Sequence, residues 1–140
     1  MKNILITFPT GERVKAALFP DQERELVSDF TEKLSSPLEL VCNHSVSAGK
    51  IFDAYMRPPK ERMAVREGVH PVAYAELERG DLLWDGERLR VVYGEVVQPG
   101  TAGYVIGKAE ISDEFEKACM SVWYDIYREH KISVISVMGE

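Results

Sequence analysis

The chain has 140 residues, 45% of them apolar and 29% charged, and carries a net charge of −6 at pH 7. A chain of this size matches the commonest domain and buries enough surface to fold without a disulfide or a metal, so residues 1–140 are read as one domain. The acidic balance argues against nucleic acid and against an anionic membrane surface as partners, because both call for a basic face.

In chain order, Ile4 to Phe8 is a short apolar run, Thr10-Gly11-Glu12 is turn chemistry, and Val14 to Phe19 is a second apolar run. Together they predict an opening β-hairpin. The first run is too short for a secretory signal, which needs roughly 7–15 apolar residues. No stretch reaches the ~18 apolar residues of a membrane span, so the expected compartment is the cytoplasm. Pro20-Asp21 predicts a helix start with Asp21 as cap. Leu26, Val27, Phe30 and Leu34 then share one face, and Ser35-Ser36-Pro37 ends the helix.

Leu38 to Ser47 and Ile51 to Met56 read as two strands joined by Ala48-Gly49-Lys50. Arg57 to Pro71, with Pro58-Pro59 and Lys60-Glu61-Arg62, reads as a long surface loop and a candidate lid. Val72 to Leu77 reads as a short strand. Leu82-Leu83-Trp84 and Leu89 to Tyr93 flank Asp85-Gly86 as a hairpin. Val96 to Gly103 reads as a loop and Tyr104 to Lys108 as a strand. Asp113 with Glu116 has capping-box spacing at the start of a second helix. Phe115, Ala118, Cys119, Val122, Trp123 and Ile126 form a wide apolar stripe along it. Lys131 to Val137 predicts a last strand that closes the sheet. The two cysteines, Cys42 on a strand and Cys119 on a helix, read as small buried hydrophobes of a reducing compartment.

Many strands with two amphipathic helices predict a mainly β (α+β) fold: a closed β-barrel of about eight strands capped by two α-helices. Three stretches sharpen this: the hairpin and helix ending in Leu38-Glu39-Leu40; His44-Ser45-Val46-Ser47-Ala48-Gly49-Lys50; and Arg79-Gly80-Asp81-Leu82-Leu83 with Val91-Val92-Tyr93-Gly94-Glu95 and Val105-Ile106-Gly107-Lys108. In these the chain resembles a family of bacterial cyclophilin-like barrel proteins of unknown function. Members show a histidine, a tryptophan and then Ser-Gly-Glu in the second stretch. His44 and Gly49 fit that pattern, the tryptophan is absent, and Lys50 stands at the glutamate position. The resemblance implies a cyclophilin-like fold more than an activity. The Phe-His-Arg and Phe-x-x-Gln-Gly-Gly-Asp stretches of prolyl isomerases are missing, which leaves prolyl isomerisation as a fold analogy.

His44 is the leading catalytic candidate, because an imidazole changes charge near neutral pH. Glu95 is its candidate orienter. Ser45, Tyr55, Arg57 and Tyr93 complete an expected pocket at the barrel mouth, in which Arg57 grips a carboxylate through two hydrogen bonds. Its ligand would be a small carboxylate- or amide-bearing metabolite, bound only or also turned over by proton transfer of hydrolase or isomerase type. The other class of reading is a non-catalytic assembly module or enzyme subunit, such as a homodimer through Trp123, Tyr124 and Tyr127. The cysteines and histidines show no paired metal-ligand spacing, and no Gly-rich phosphate loop or nucleophile elbow is present, so neither metal nor cofactor is expected.

Overall fold

A computed structural model describes residues 3–45, 47–56 and 65–140. The elements are β1 (Asn3–Thr7), β2 (Arg13–Leu18), α1 (Arg24–Lys33), β3 (Leu38–His44), β4 (Gly49–Met56), β5 (Val72–Ala73), a 3₁₀ turn at Tyr74–Glu76, β6 (Asp81–Trp84), β7 (Arg88–Val96), β8 (Ala102–Gly103), β9 (Val105–Ala109), α2 (Asp113–Tyr127) and β10 (Val134–Gly139). Eight strands close a barrel in the order β1-β10-β3-β4-β7-β6-β9-β2, all neighbours antiparallel, and β5 pairs with β8 outside it. The last strand does close the sheet, because β10 lies between β1 and β3.

Side-chain alternation sorts each strand into a barrel face and an outer face. In β2 the even residues Val14, Ala16 and Leu18 are buried and the odd ones exposed. Both helices sink their stripes into the same core, α1 with Leu26, Val27 and Phe30 and α2 with Phe115, Ala118, Cys119 and Val122. Phe30 meets Trp84 at 4.9 Å between ring centroids. The Trp84 indole N–H donates to Asp29 Oδ2 at 2.8 Å, which gives a ring in the core a partner for its polar atom. All four residues of β6 are buried, because its outer face is covered as well: Leu83 packs with Ile51, Tyr74, Val92 and Val105 in a smaller cluster outside the barrel. No helix among the described residues is long and apolar enough to cross a membrane.

Several boundaries differ from the expected ones. Helix α1 begins at Arg24 rather than at Asp21, and no side chain caps it. Gln22 and Glu23 instead donate their N–H groups to the Phe19 carbonyl in a turn, and the Glu23 carboxylate is held elsewhere, as described below. Val72 to Leu77 is a two-residue strand followed by the 3₁₀ turn, β8 lies in the expected loop from Val96 to Gly103, and the last strand starts at Val134. The cap of α2 is Ser112 and not Asp113: its hydroxyl accepts from Phe115 N at 3.1 Å, and Asp113 becomes the first helical residue, where its charge suits the helix dipole. Ser112→Ala is therefore expected to lower stability by about 1 kcal/mol, whereas Asp113→Ala loses only the smaller dipole contribution. Urea midpoints of the two variants check the assignment, which fails if Asp113→Ala is the costlier change.

Candidate functional site

Strand β3 ends at His44 on the barrel face, two residues beyond Cys42 and opposite Phe52 of β4. Tyr93 comes to it along the inner face of β7. The His44 and Tyr93 rings meet edge to face at 5.7 Å, and Phe52 packs against both. His44 is 3% exposed and Tyr93 1%.

The hydrogen bonds settle the protonation of this pair. His44 Nδ1 lies 2.7 Å from the Ser45 carbonyl oxygen. A carbonyl only accepts, so Nδ1 carries the proton. In the neutral ring Nε2 is then a lone-pair acceptor, and the Tyr93 hydroxyl, 2.6 Å away, donates to it. Burial pushes the imidazole below its ordinary pKa, against the opposing pull of the Ser45 carbonyl and of Asp53. Burial also raises the Tyr93 phenol, so near neutral pH the pair is an uncharged imidazole and a protonated phenol. The Tyr127 hydroxyl donates to the His44 carbonyl and ties α2 to the end of β3. The Ser45 hydroxyl accepts from Ser47 N and Ala48 N, both at 3.2 Å, and shapes the turn into β4.

Two adjoining hollows of about 270 and 470 Å³ share Gly49, Lys50 and Tyr93, and His44 lines the smaller. The smaller has His44 and Ser45 on one side and Met120 and Trp123 of α2 on the other. The larger extends past Gly94 and Glu95 to Arg79 and Glu116. Lys50 crosses between them. Its methylenes lie where a Cβ on Gly94 would meet them at 2.4 Å, and its Nζ reaches Glu116 at 3.0 Å, where Arg79 also donates at 3.3 Å. The hydrogen bond from Lys50 lowers the Glu116 pKa.

Of the six residues expected to share a pocket, His44, Ser45, Tyr93 and Glu95 line this one groove. Glu95 sits exposed at its outer end and does not orient His44, whose ring partners are Ser45 and Tyr93. Tyr55 faces the opposite side of the sheet: strand alternation turns it away from Phe52 toward Asp53 and Arg88. Arg57 and residues 57 to 64 of the candidate lid, expected from Arg57 to Pro71, lie outside the described residues. The sequence assigns Met120 no role and Trp123 only a place in the α2 stripe and in a candidate interface, because the pairing of α2 with this edge is a tertiary fact. Cys42 and Cys119 are both buried, and burial raises both thiols, Cys42 to about 12.

The lowered His44 pKa has a measurable consequence. The unfolded chain takes up a proton near pH 6.5 while the folded chain does not, so stability is lost as pH falls through 6.5 toward the folded value. His44→Gln is expected to remove that part of the slope. Urea midpoints between pH 7.5 and 5.5 measure it, and an unchanged slope in the variant would show that His44 is not the group responsible.

No protein-family model matches the sequence, and no curated protein does either. Solved structures match the fold. McbB in complex with tryptophan superposes with a TM-score of 0.86 at 18% identity, over 98% of this chain and 44% of that one. A hypothetical protein from Archaeoglobus fulgidus, solved in solution, gives 0.57 at 16% identity, over 98% and 93%. The chain thus spans less than half the length of McbB, and at these identities the likeness is one of fold.

Proposed function

We propose that the protein binds a small carboxylate- or amide-bearing metabolite in the groove beside His44 and that the Tyr93–His44 pair moves a proton to or from it. The observation that carries this reading is a buried, uncharged histidine held in one tautomer, with its lone pair aimed at a phenol that lines a groove. Tyr93, rather than His44, is the group that meets the ligand. Its oxygen keeps acceptor capacity while its proton is given to Nε2. A proton leaving the ligand is taken by the Tyr93 oxygen as the phenol proton passes to Nε2. That step leaves an anionic ligand, a neutral phenol and an imidazolium. Burial disfavours the imidazolium, so the proton returns readily, to another ligand atom in an isomerase-type cycle or to a leaving group in a hydrolase-type one. Trp123 and Met120 offer an apolar wall and Lys50 a cation.

That McbB was solved with tryptophan, a molecule with a ring and a carboxylate, supports the same class of ligand here. The reading takes residues 1–140 as one domain of the bacterial cyclophilin-like type, acting in the cytoplasm. The assembly reading is less favoured, because Trp123 lines the groove and Tyr127 is bonded to His44, which leaves Tyr124 as the most exposed of the three aromatics.

A thermal-shift series of small carboxylates, amides and cyclic amides tests it, since a ligand of the folded state at a hundredfold its Kd stabilises by about 2.7 kcal/mol. The expected result is a shift that a folded His44→Gln variant loses. An equal shift in both proteins, or none with any compound in the wild type, would overturn the reading.

A further inference from the structure

The outer face of β4, β7 and β6 holds a second polar cluster, which the His44 groove does not use. In the β4–β7 register Asp53 lies opposite Arg90 and Tyr55 opposite Arg88. Asp53 bridges the two arginines: Oδ1 accepts from Arg90 Nε at 3.1 Å and Oδ2 from Arg88 Nη1 at 3.4 Å. Arg88 Nε donates to Asp85 Oδ2 at 2.8 Å and Arg88 Nη1 to the Tyr55 hydroxyl at 3.3 Å. Arg90 Nη1 donates to the Tyr74 hydroxyl. Each guanidinium is thus held by Nε and Nη1. Among the described residues, Nη2 of each makes no hydrogen bond.

Both arginines line a cleft of about 200 Å³ whose other walls include Val65, Leu83 and Tyr104. One wall is anchored from below. The Glu23 carboxylate, 1% exposed, accepts from Val69 N at 2.8 Å and from His70 N at 2.7 Å. Arg66 N donates to the Asp85 carbonyl at 2.7 Å. Gly68 is needed between these anchors, because a Cβ there would lie 2.6 Å from both Glu23 Oε1 and Tyr104 Cδ1. A buried carboxylate satisfied by backbone N–H groups fixes the segment from Val65 to His70 against the sheet. The cleft therefore has a built wall on one side and two preset cations on its floor.

We propose that this cleft is a second binding site, for a small carboxylate with an apolar body, held by the Nη2 groups of Arg88 and Arg90, which are unbonded among the described residues. With Nε and Nη1 engaged, each guanidinium offers its Nη2, so a carboxylate takes one charge-assisted hydrogen bond from each arginine, and the orientation of both is set in advance by Asp53, Asp85 and Tyr74. The charges of Asp53 and Asp85 already offset those of Arg88 and Arg90, so a dianion gains no net Coulomb attraction, whereas a monoanion still gains the directional bonds. Val65, Leu83 and Tyr104 suit an apolar body. The volume lies below the ~300–1,000 Å³ of sites for drug-sized ligands, which limits the occupant to a small acid.

Titration of the full chain with benzoate, benzamide and inorganic phosphate, followed through arginine Nε–H and backbone amide resonances, tests this. Benzoate is expected to shift Arg88, Arg90, Gly103 and Tyr104 saturably, benzamide to leave them in place, and phosphate to bind at least tenfold more weakly. Arg90→Lys keeps the charge beside Asp53 but loses the Nη2 donor, and is expected to raise the benzoate Kd at least tenfold. Equal responses to benzamide, equal affinity for phosphate, an unchanged Kd in Arg90→Lys, or shifts confined to the His44 groove would each overturn the proposal. If Arg90→Lys does not fold, the wild-type comparison of benzoate with benzamide decides. Because the resonances map the site, failure here is separate from failure at His44.

Discussion

Replacing Tyr93 by phenylalanine is expected to leave a folded barrel that has lost proton transfer, with the rate falling by about 10² to 10⁴, the usual contribution of a positioned acid or base. The change removes one oxygen and keeps the ring that packs on Phe52 and His44. What it leaves behind is an imidazole lone pair at Nε2 without its donor, in a site 3% exposed. An unsatisfied buried acceptor costs about 1–3 kcal/mol, so the melting temperature falls while the fold survives. Once a ligand emerges from the thermal-shift series, its exchange of protons for solvent deuterium provides the rate. The nitrogen chemical shifts of His44 provide a second readout that needs no ligand: the wild type is expected to show the Nδ1–H tautomer. An Nε2–H tautomer in the wild type would reverse the direction of the relay, and exchange by Tyr93→Phe at the wild-type rate would remove Tyr93 from it.

Gly49→Ala is expected to be the most damaging single substitution near the groove. Gly49 opens β4 at φ +104°, in the region that disfavours side chains, and a Cβ there would lie 2.3 Å from the Glu95 carbonyl oxygen. Two costs add. The backbone conformation costs a non-glycine residue about 1–3 kcal/mol, and forcing an atom into packed backbone costs about 1–3 kcal/mol more. Gly100 separates them: it has φ +76°, and nothing lies within 4 Å of its added Cβ. Gly100→Ala therefore bears the conformational cost alone. Chemical denaturation of both variants is expected to place Gly49→Ala well below Gly100→Ala. Equal losses would show that the approach of Glu95 to Gly49 is not a constraint. The groove is expected to change as well, because Gly49 lines both of its hollows and stands at the register irregularity ahead of Ile51.

The order of strands and helices, the core stripes of α1 and α2 and the closure by the last strand were legible in residues 1–140, because period-2 and period-3.6 patterns are local and buried apolar surface obeys them. The same locality explains the misplaced caps. Asp21 and Asp113 are good caps by residue type, but the turn on Phe19 delays the start of α1 and the Ser112 hydroxyl reaches the Phe115 N–H first. His44, Ser45, Tyr93 and Glu95 were candidates by residue chemistry, His44 also by the family resemblance, and the fold brings all four to two adjoining hollows.

The sequence by itself determined a mainly β barrel with two amphipathic helices and a short roster of polar residues able to do chemistry. Only the tertiary structure decided which of them meet. Tyr55 and Tyr93 are alike as residues, but strand alternation sends Tyr55 to the outer face with Arg88 and Tyr93 to the barrel with His44. Arg88 and Arg90 have no assigned role in the sequence; the β4–β7 register sets them against Tyr55 and Asp53 respectively. The physical reason is that the face of a side chain follows from its own strand, whereas its partner follows from the register between strands, and register is fixed by burial summed over the whole sheet.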